Sequence, residues 1–400
     1  MSRSTIGTAL LWGVATLVLS LSPTYSEERP PDKRARDYGI PFGFGEPGPL
    51  NAITDVEGVL VGQVTLREGN GKLVPGQGPV RTGVTAILPH GGDLWNEKVP
   101  AAGFVLNGNG EMTGLHWVNE HGALEVPILM TNTLSVPRVA DGVITYMLEK
   151  YPDIGIGDDV VLPVVGECDD STLNDIRGRH VRAEHAVRAI REARSGPVEE
   201  GAVGAGTGMI AYDFKGGIGT SSRRLPEARG GFTVGVLVNA NLGLRRNLLI
   251  AGVPVGEALT DIPEPEADAE GSILIVVATD APLLHRQLLR LARRASLGLA
   301  RTGTVSRHGS GDLFIAFSTG LRVPHYPQEP FVDIRYLEDA FLNPLFEAVV
   351  GATEEAIINA LVAAETTVGR DGHTARAIPM ERVVEILSRH RRLVRVPSVP

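Results

Sequence analysis

A serine that stands first in a polypeptide carries a nucleophile and a base on one residue. Residues 271–272 of this chain could produce such a serine. Gly271 closes the stretch 254–271 (PVGEALTDIPEPEADAEG), which is acidic, proline-rich and without apolar period, and so reads as an exposed loop or linker. Ser272 opens the run 272–279 (SILIVVAT), the strongest buried-strand signal in the chain. If the Gly271–Ser272 bond were cut, the Ser272 hydroxyl would sit beside its own α-amino group. Such an amine has a pKa of about 7.7–8.0, so near pH 8 much of it is neutral and can accept the hydroxyl proton. The cut has a physical route. Ser272 Oγ attacks the Gly271 carbonyl, and water hydrolyses the resulting ester. Glycine lacks Cβ and tolerates the strained backbone this needs. By residue type alone a single Gly-Ser pair is a weak signal, and a loop simply joined to a strand is the plainer reading; both stay open.

Other common chemistries are set aside by inspection. His116 and His121 in HWVNEH stand five apart, which does not give the zinc pair of a helix. The chain holds no phosphate-binding G-x-x-x-x-G-K-[ST], no G-x-S-x-G elbow and no S-x-x-K. Its 10 His and single Cys form no ligand cluster along the sequence. Residues 201–209 (GAVGAGTGM) do not match G-x-G-x-x-G; they read as turns where backbone packs on backbone, or as a pocket wall.

The elements that must position Ser272 are short β-type runs mixed with helical ones. Strands are expected at 59–65, 82–88, 103–106, 126–130, 160–165, 232–238, 272–279 and 313–318, although Pro163 weakens the fifth. Helices are expected at 137–151, 180–193, 282–299, 340–363 and 380–393, the third basic and amphipathic. A glycine-rich region, 201–224, separates two groups of these elements. The strands come in clusters without strict β–α alternation. That favours a layered α/β sandwich with mixed sheets over a doubly wound parallel sheet.

Composition sets the outer limits. Of 400 residues, 43% are hydrophobic and 21% charged, enough for a sizeable core and against disorder as the main state. One cysteine excludes an internal disulfide, and a net charge of −9 with no long basic run argues against a nucleic-acid surface. With 48 glycines, the chain makes many tight turns and close backbone approaches. Residues 1–26 read as a secretory signal: Arg3, then the apolar run 9–21, then small residues up to Ser26 before Glu27. The run is shorter than the roughly 20 residues a spanning helix needs. The mature protein is therefore expected to be exported, periplasmic or secreted, with no membrane attachment after signal removal.

Several motifs, in order, resemble the DmpA family, the L-aminopeptidase/D-Ala-esterase-amidases, which include the β-peptidyl aminopeptidases. They are NAITDVEGVLVG (51–62), TGVTAILPH (82–90), GNGEMTGLHWVNEHG (108–122), TNTLSV (131–136), LNDIRGRHV (173–181), GTGMIAYDFKGGIGTSSR (206–223), EGSILIVVATDAPL (270–283), LARTG (299–303) and GSGD (309–312). The resemblance spans roughly 38–390. It implies an αββα four-layer sandwich, related in layer order to the N-terminal-nucleophile hydrolases but differently connected. It also implies autocleavage between Gly271 and Ser272 into a large fragment, 27–271, and a small one, 272–400, that stay together. Relatives assemble as homo-tetramers of such pairs.

The resemblance also implies roles for single residues. Ser272 matches the nucleophile; Ser310 and Asp312 match its companion serine and acid, where some relatives carry Glu. Two apart on an extended segment, their side chains share one side, and Ser310 could hydrogen-bond the Ser272 hydroxyl or amine. Asn241 matches the oxyanion donor, with Asn239 as a rival. An aminopeptidase must hold a free ammonium, and Glu167 in VVGECDD is the candidate carboxylate. The neighbouring Cys168-Asp169-Asp170 is expected to shape the specificity pocket. Cys168 has no positive neighbour or paired His nearby and reads as a structural or pocket-lining thiol. The expected activity is removal of an N-terminal residue from short peptides, amides or esters, with no metal or organic cofactor. Two alternatives remain: an acyltransferase of the ornithine-acetyltransferase type, whose new terminus is Thr where this chain has Ser272, and an uncleaved, non-catalytic binding protein.

Overall fold

The computed structural model describes Met1 and residues 33–265 and 271–394. Residues 2–26 of the expected signal lie outside them. The stretch 33–394 forms one unit built on two sheets. The first sheet begins with β1 (Leu60–Glu68) and β2 (Val80–Leu88), and the second with β3 (Glu97–Gly108). Then come β4 (Ile128–Asn132), β5 (Val164–Cys168), β6 (Gly217–Arg224), β7 (Thr233–Leu242), β8 (Gly271–Thr279) and β9 (Gly311–Ser318). The first sheet runs β1-β2-β4-β5, antiparallel except for the parallel β4–β5 pair. The second runs β3-β9-β8-β7-β6, with only β8 and β9 parallel.

Alternation along β8 explains its unbroken apolar run. Ile273, Ile275 and Val277 face one hydrophobic core; Leu274, Val276 and Ala278 face the other. The first core lies under helices α1 (His285–Arg301) and α2 (Asn343–Ala363). The second is shared between the two sheets, so that a Cβ on Gly166 of β5 would meet the Leu274 side chain of β8. Two further helices, Val136–Lys150 and Ala183–Arg191, cover the first sheet, the second of them against β1. The order is helices, sheet, sheet, helices: the αββα sandwich with mixed sheets.

Most elements stand within a few residues of their expected places. Three expectations are corrected. The strand expected at 160–165 begins only at Val164, because Pro163 has no N–H for the ladder; Val160 is left exposed. The segment 217–224, glycine-rich and given no strand, is the strand β6, buried from Gly217 to Arg223. Its small residues let α2 come close: a Cβ on Gly219 would overlap the Ala356 carbonyl oxygen. The stretch 254–271 is not wholly an exposed linker. Val255–Leu259 forms a 3-10 turn with Val255 and Leu259 buried, while 266–270 lies outside the described residues. Among the described residues no helix is long and apolar enough to cross a membrane.

Candidate active site

The first residues of β8 open on a cavity of about 440 Å³. Its walls include Gly110, Glu111, Thr133, Glu167, Asp169, Ile210, Asn241, Gly271, Ser272, Gly309 and Arg370. Four of the six sequence-derived site residues therefore line one space, Gly271, Ser272, Asn241 and Glu167, while Ser310 stands directly after the lining residue Gly309. Asp312, the sixth, is held by Ser310.

Register places Asn241 beside Ser272, since the two are partners across the antiparallel β7–β8 pair. The parity that points Leu274 at the inter-sheet core gives Ser272 and Asn241 the same face, at the rim where the core ends. Gly271 has φ +64°, and a Cβ there would overlap the Asn241 carbonyl oxygen. A glycine is required immediately before the serine by both space and backbone.

The Ser272 hydroxyl oxygen accepts a hydrogen bond from the Gly311 backbone N–H at 3.1 Å. Ser310 is not its direct partner: the Ser310 hydroxyl donates to Asp312 Oδ1 at 2.6 Å. Burial pushes the Asp312 carboxyl up, and the Ser310 hydrogen bond opposes that rise. The turn carrying Ser310 is fixed by two asparagines of β3 and the loop after it. Asn107 Nδ2 donates to the Ser310 carbonyl at 2.7 Å and Asn109 Nδ2 to the Gly309 carbonyl at 2.8 Å. Sequence reasoning assigned neither a role, although Asn109 stands inside a motif it had singled out.

Asn241 is held at both ends. Its Oδ1 accepts from Ile210 N–H at 2.8 Å, which identifies the oxygen end of the amide. Its Nδ2 donates to the Asp169 carbonyl at 3.0 Å and keeps a second N–H for another acceptor. Ile210 is positioned in turn by a buried lysine. Lys215 Nζ donates to the carbonyls of Gly206, Met209 and Gly216 at 3.0, 2.8 and 2.9 Å. Burial pushes that ammonium well down from its ordinary pKa. The glycine-rich 201–209 thus serves both of its expected readings, packed turns and, at Gly208, cavity wall. Asn239, the rival, is wholly buried away from the cavity, and neither of its side-chain amide atoms has a hydrogen-bond partner among the described residues.

Glu167, next to last in β5, has its side chain in the cavity. Oε1 accepts from the Glu111 N–H at 3.0 Å, and Oε2 accepts from the Thr133 hydroxyl. Burial pushes its pKa up; these two bonds pull against the rise. Of the next three residues only Asp169 reaches the cavity. Asp170 is buried, its carboxyl pushed up to about 7 by burial, and it accepts from Asn174 Nδ2 at 2.9 Å. Cys168 packs in the inter-sheet core with its thiol pushed well up by burial, which is the structural role.

Arranged in this way are a hydroxyl at a strand head, an amide N–H beside it, and a buried carboxylate across the cavity. Such a set can attack, stabilise and anchor an acyl compound that carries a free amine. Comparison with known proteins agrees. Residues 51–375 match peptidase family S58. The chain is 46% identical over 375 residues, 90% of its length and 93% of the relative's, to the β-peptidyl aminopeptidase BapA of Sphingosinicella microcystinivorans. Among solved structures it is similar to the PH0078 protein from Pyrococcus horikoshii OT3, with 52% identity, a TM-score of 0.86, and 90% of this chain and 100% of that one covered. It is also similar to the L-aminopeptidase D-Ala-esterase/amidase from Ochrobactrum anthropi, described as a variant of the Ntn hydrolase fold. There the identity is 44%, the TM-score 0.84, and the coverage 90% and 99%. With a family match over most of its length and a sandwich of the corresponding layers, the chain belongs to peptidase family S58, the DmpA family, and is an aminopeptidase of the N-terminal-nucleophile type.

Proposed function

We propose that the protein is exported and cuts itself between Gly271 and Ser272, and that Ser272 then removes N-terminal residues from short peptides, amides or esters. The observation that carries this reading is the seat of Ser272: a strand-head hydroxyl bonded to Gly311 N–H, in register with Asn241, in one cavity with Glu167. In the first step Ser272 Oγ bonds to the Gly271 carbonyl carbon, and the Ser272 nitrogen leaves as an amine carrying a proton. Water splits the ester, and Gly271 becomes a carboxylate at the end of the large fragment, 27–271. The small fragment, 272–400, now begins with a free amine.

In the second step that amine takes the Ser272 hydroxyl proton as Oγ attacks the substrate carbonyl. The spare Asn241 N–H faces the growing negative charge. The proton passes to the departing amine or alcohol, and water hydrolyses the acyl-enzyme. Ser310 and Asp312 keep the hydroxyl network oriented, and Glu167 holds the substrate ammonium. A β-amino first residue is the favoured substrate, because the relatives at 46% and 44% identity are named β-peptidyl aminopeptidases. Export rests on the apolar run in 1–26. Assembly as a homo-tetramer is supported by apolar side chains left exposed between β9 and α2, among them Phe331, Val332 and Ile334.

The test is direct. Purified mature protein shows two bands on a denaturing gel, and N-terminal sequencing of the smaller begins at Ser272. Ser272→Ala runs as one band and hydrolyses no aminoacyl p-nitroanilide. Scission at the same bond in that variant would refute self-attack. An acyltransferase would instead move the acyl group to an added amine in preference to water.

A further inference from the structure

We propose that Arg370 binds the carboxylate of the residue that leaves, so that the substrates handled best are short peptides that end just beyond the scissile bond. This rests on the reading of Ser272 and Glu167 given above and adds the other end of the substrate.

The cavity is unevenly charged. Three carboxylate side chains line it, from Glu111, Glu167 and Asp169, and among its lining residues Arg370 is the one cation. The guanidinium is held rigidly. Its Nε donates to the Ser171 carbonyl at 2.6 Å, and Nη1 to Asp371 Oδ2 at 2.8 Å. Nη2 has no acceptor among the described residues. Asp371 is itself engaged by the Leu73 N–H at 2.9 Å and does not line the cavity. The turn bearing Arg370 is stapled to the wall. Arg370 N–H donates to the Leu173 carbonyl at 2.9 Å, and His373 Nδ1 bonds the Thr172 carbonyl at the same distance. A fixed guanidinium with one free edge in a cleft is built to take a carboxylate.

Its place along the wall fits one leaving residue. Glu167, Asp169 and Ser171 follow one another on a single stretch. The first faces the expected ammonium, the carbonyl of the second bonds Asn241 beside Ser272, and the carbonyl of the third bonds Arg370. Two residues of chain span at most about 7 Å, so the Asp169 and Ser171 carbonyls stand no further apart than one or two residues of a bound peptide. A short zwitterionic peptide would meet an anion at its amine end and a cation at its carboxyl end.

The experiment compares free-acid and C-terminal-amide forms of two dipeptides, β-alanyl-L-alanine and L-alanyl-L-alanine, on processed enzyme. The matching p-nitroanilides are run alongside. In wild type the free acid of whichever dipeptide turns over faster is preferred by about ten- to hundredfold in kcat/KM. In Arg370→Gln the acid-to-amide ratio falls towards one, and Arg370→Lys restores part of it by keeping the charge without the planar fork. A purely structural Arg370 would lower both rates and leave the ratio alone, and that result overturns the proposal. So does a wild type that cleaves amide and acid equally, a comparison that needs no variant to fold. If the p-nitroanilides also resist wild-type enzyme, the Ser272 reading has failed and this one falls with it.

Discussion

Glu167 is buried yet receives two hydrogen bonds among the described residues, from the Thr133 hydroxyl and the Glu111 N–H, and burial wins. Its carboxyl is held above the ordinary value of 4.5, so it takes up a proton at a higher pH than a solvated glutamate. The ionised form is the one that holds an ammonium. The acid limb of kcat/KM for free-amine substrates is therefore expected above pH 4.5, and a pH profile on the processed enzyme checks it. Glu167→Gln should remove that limb and raise KM by about ten- to hundredfold, the worth of a charge-assisted hydrogen bond. An unchanged KM would exclude Glu167 as the ammonium site. Asn241 and Asn239 can be told apart in the same assay. Asn241→Ala removes an N–H beside Ser272 and should cost about 10²–10³ in kcat. Asn239→Leu takes no donor from the cavity, and its kcat should stay close to wild type.

Helix α2 does more than roof the sheet. Its Glu355 accepts from Arg36 Nε at 2.7 Å, from Arg223 Nη2 at 2.8 Å and from Asn51 Nδ2 at 2.6 Å. One buried carboxylate thus ties the N-terminal arm, residues 33–51, to α2 and to β6. Burial alone would raise its pKa; the Arg36 hydrogen bond and the Arg223 charge overcome that and hold it below the usual glutamate range. A folded-state pKa that is depressed contributes stability above the unfolded value, and this is lost as pH falls through the folded value. The protein should therefore weaken as acid enters the range below pH 4.5. Glu355→Gln leaves Arg223 buried without its counter-charge and should cost about 3–5 kcal/mol. Urea unfolding of the uncut Ser272→Ala chain with and without the second change measures it, since a single chain is the simpler reference. A loss under about 1 kcal/mol would show that the arm is anchored elsewhere.

Strand order decides what the cut can do to the protein. The proposed small fragment contributes β8 and β9, and these lie in the middle of the second sheet. The large fragment's β7 pairs with β8 on one side, and its β3 pairs with β9 on the other. Severing 271–272 breaks one covalent bond and none of these ladders. The fragments should elute together from a sizing column in native buffer and separate only in denaturant. Fragments that part in native buffer would contradict this strand order. Light scattering of the same material reads the number of pairs per particle, expected to be four.

The residues that carry a local period were readable before any fold was known. Eight residues from Ser272 to Thr279 announce a buried strand because both faces of β8 are covered. Helix α1 shows its apolar stripe for the opposite reason: one face packs and the other is wet. Strand β6 was hidden, since glycine and serine sit where α2 presses closest, and small residues look like turns when the helix that needs them is 131 residues away, from Ser221 to Ala352. Arg370 stands outside every motif that carried the resemblance, and Thr133 and Asn109, although inside two of them, gave no sign of a role in the site. Each acts on a group far along the chain, and only the order and register of two sheets bring them around Ser272. Periodicity records which face of a segment is buried. It holds no record of which distant segment does the burying, and that long-range pairing is what assembles the cavity.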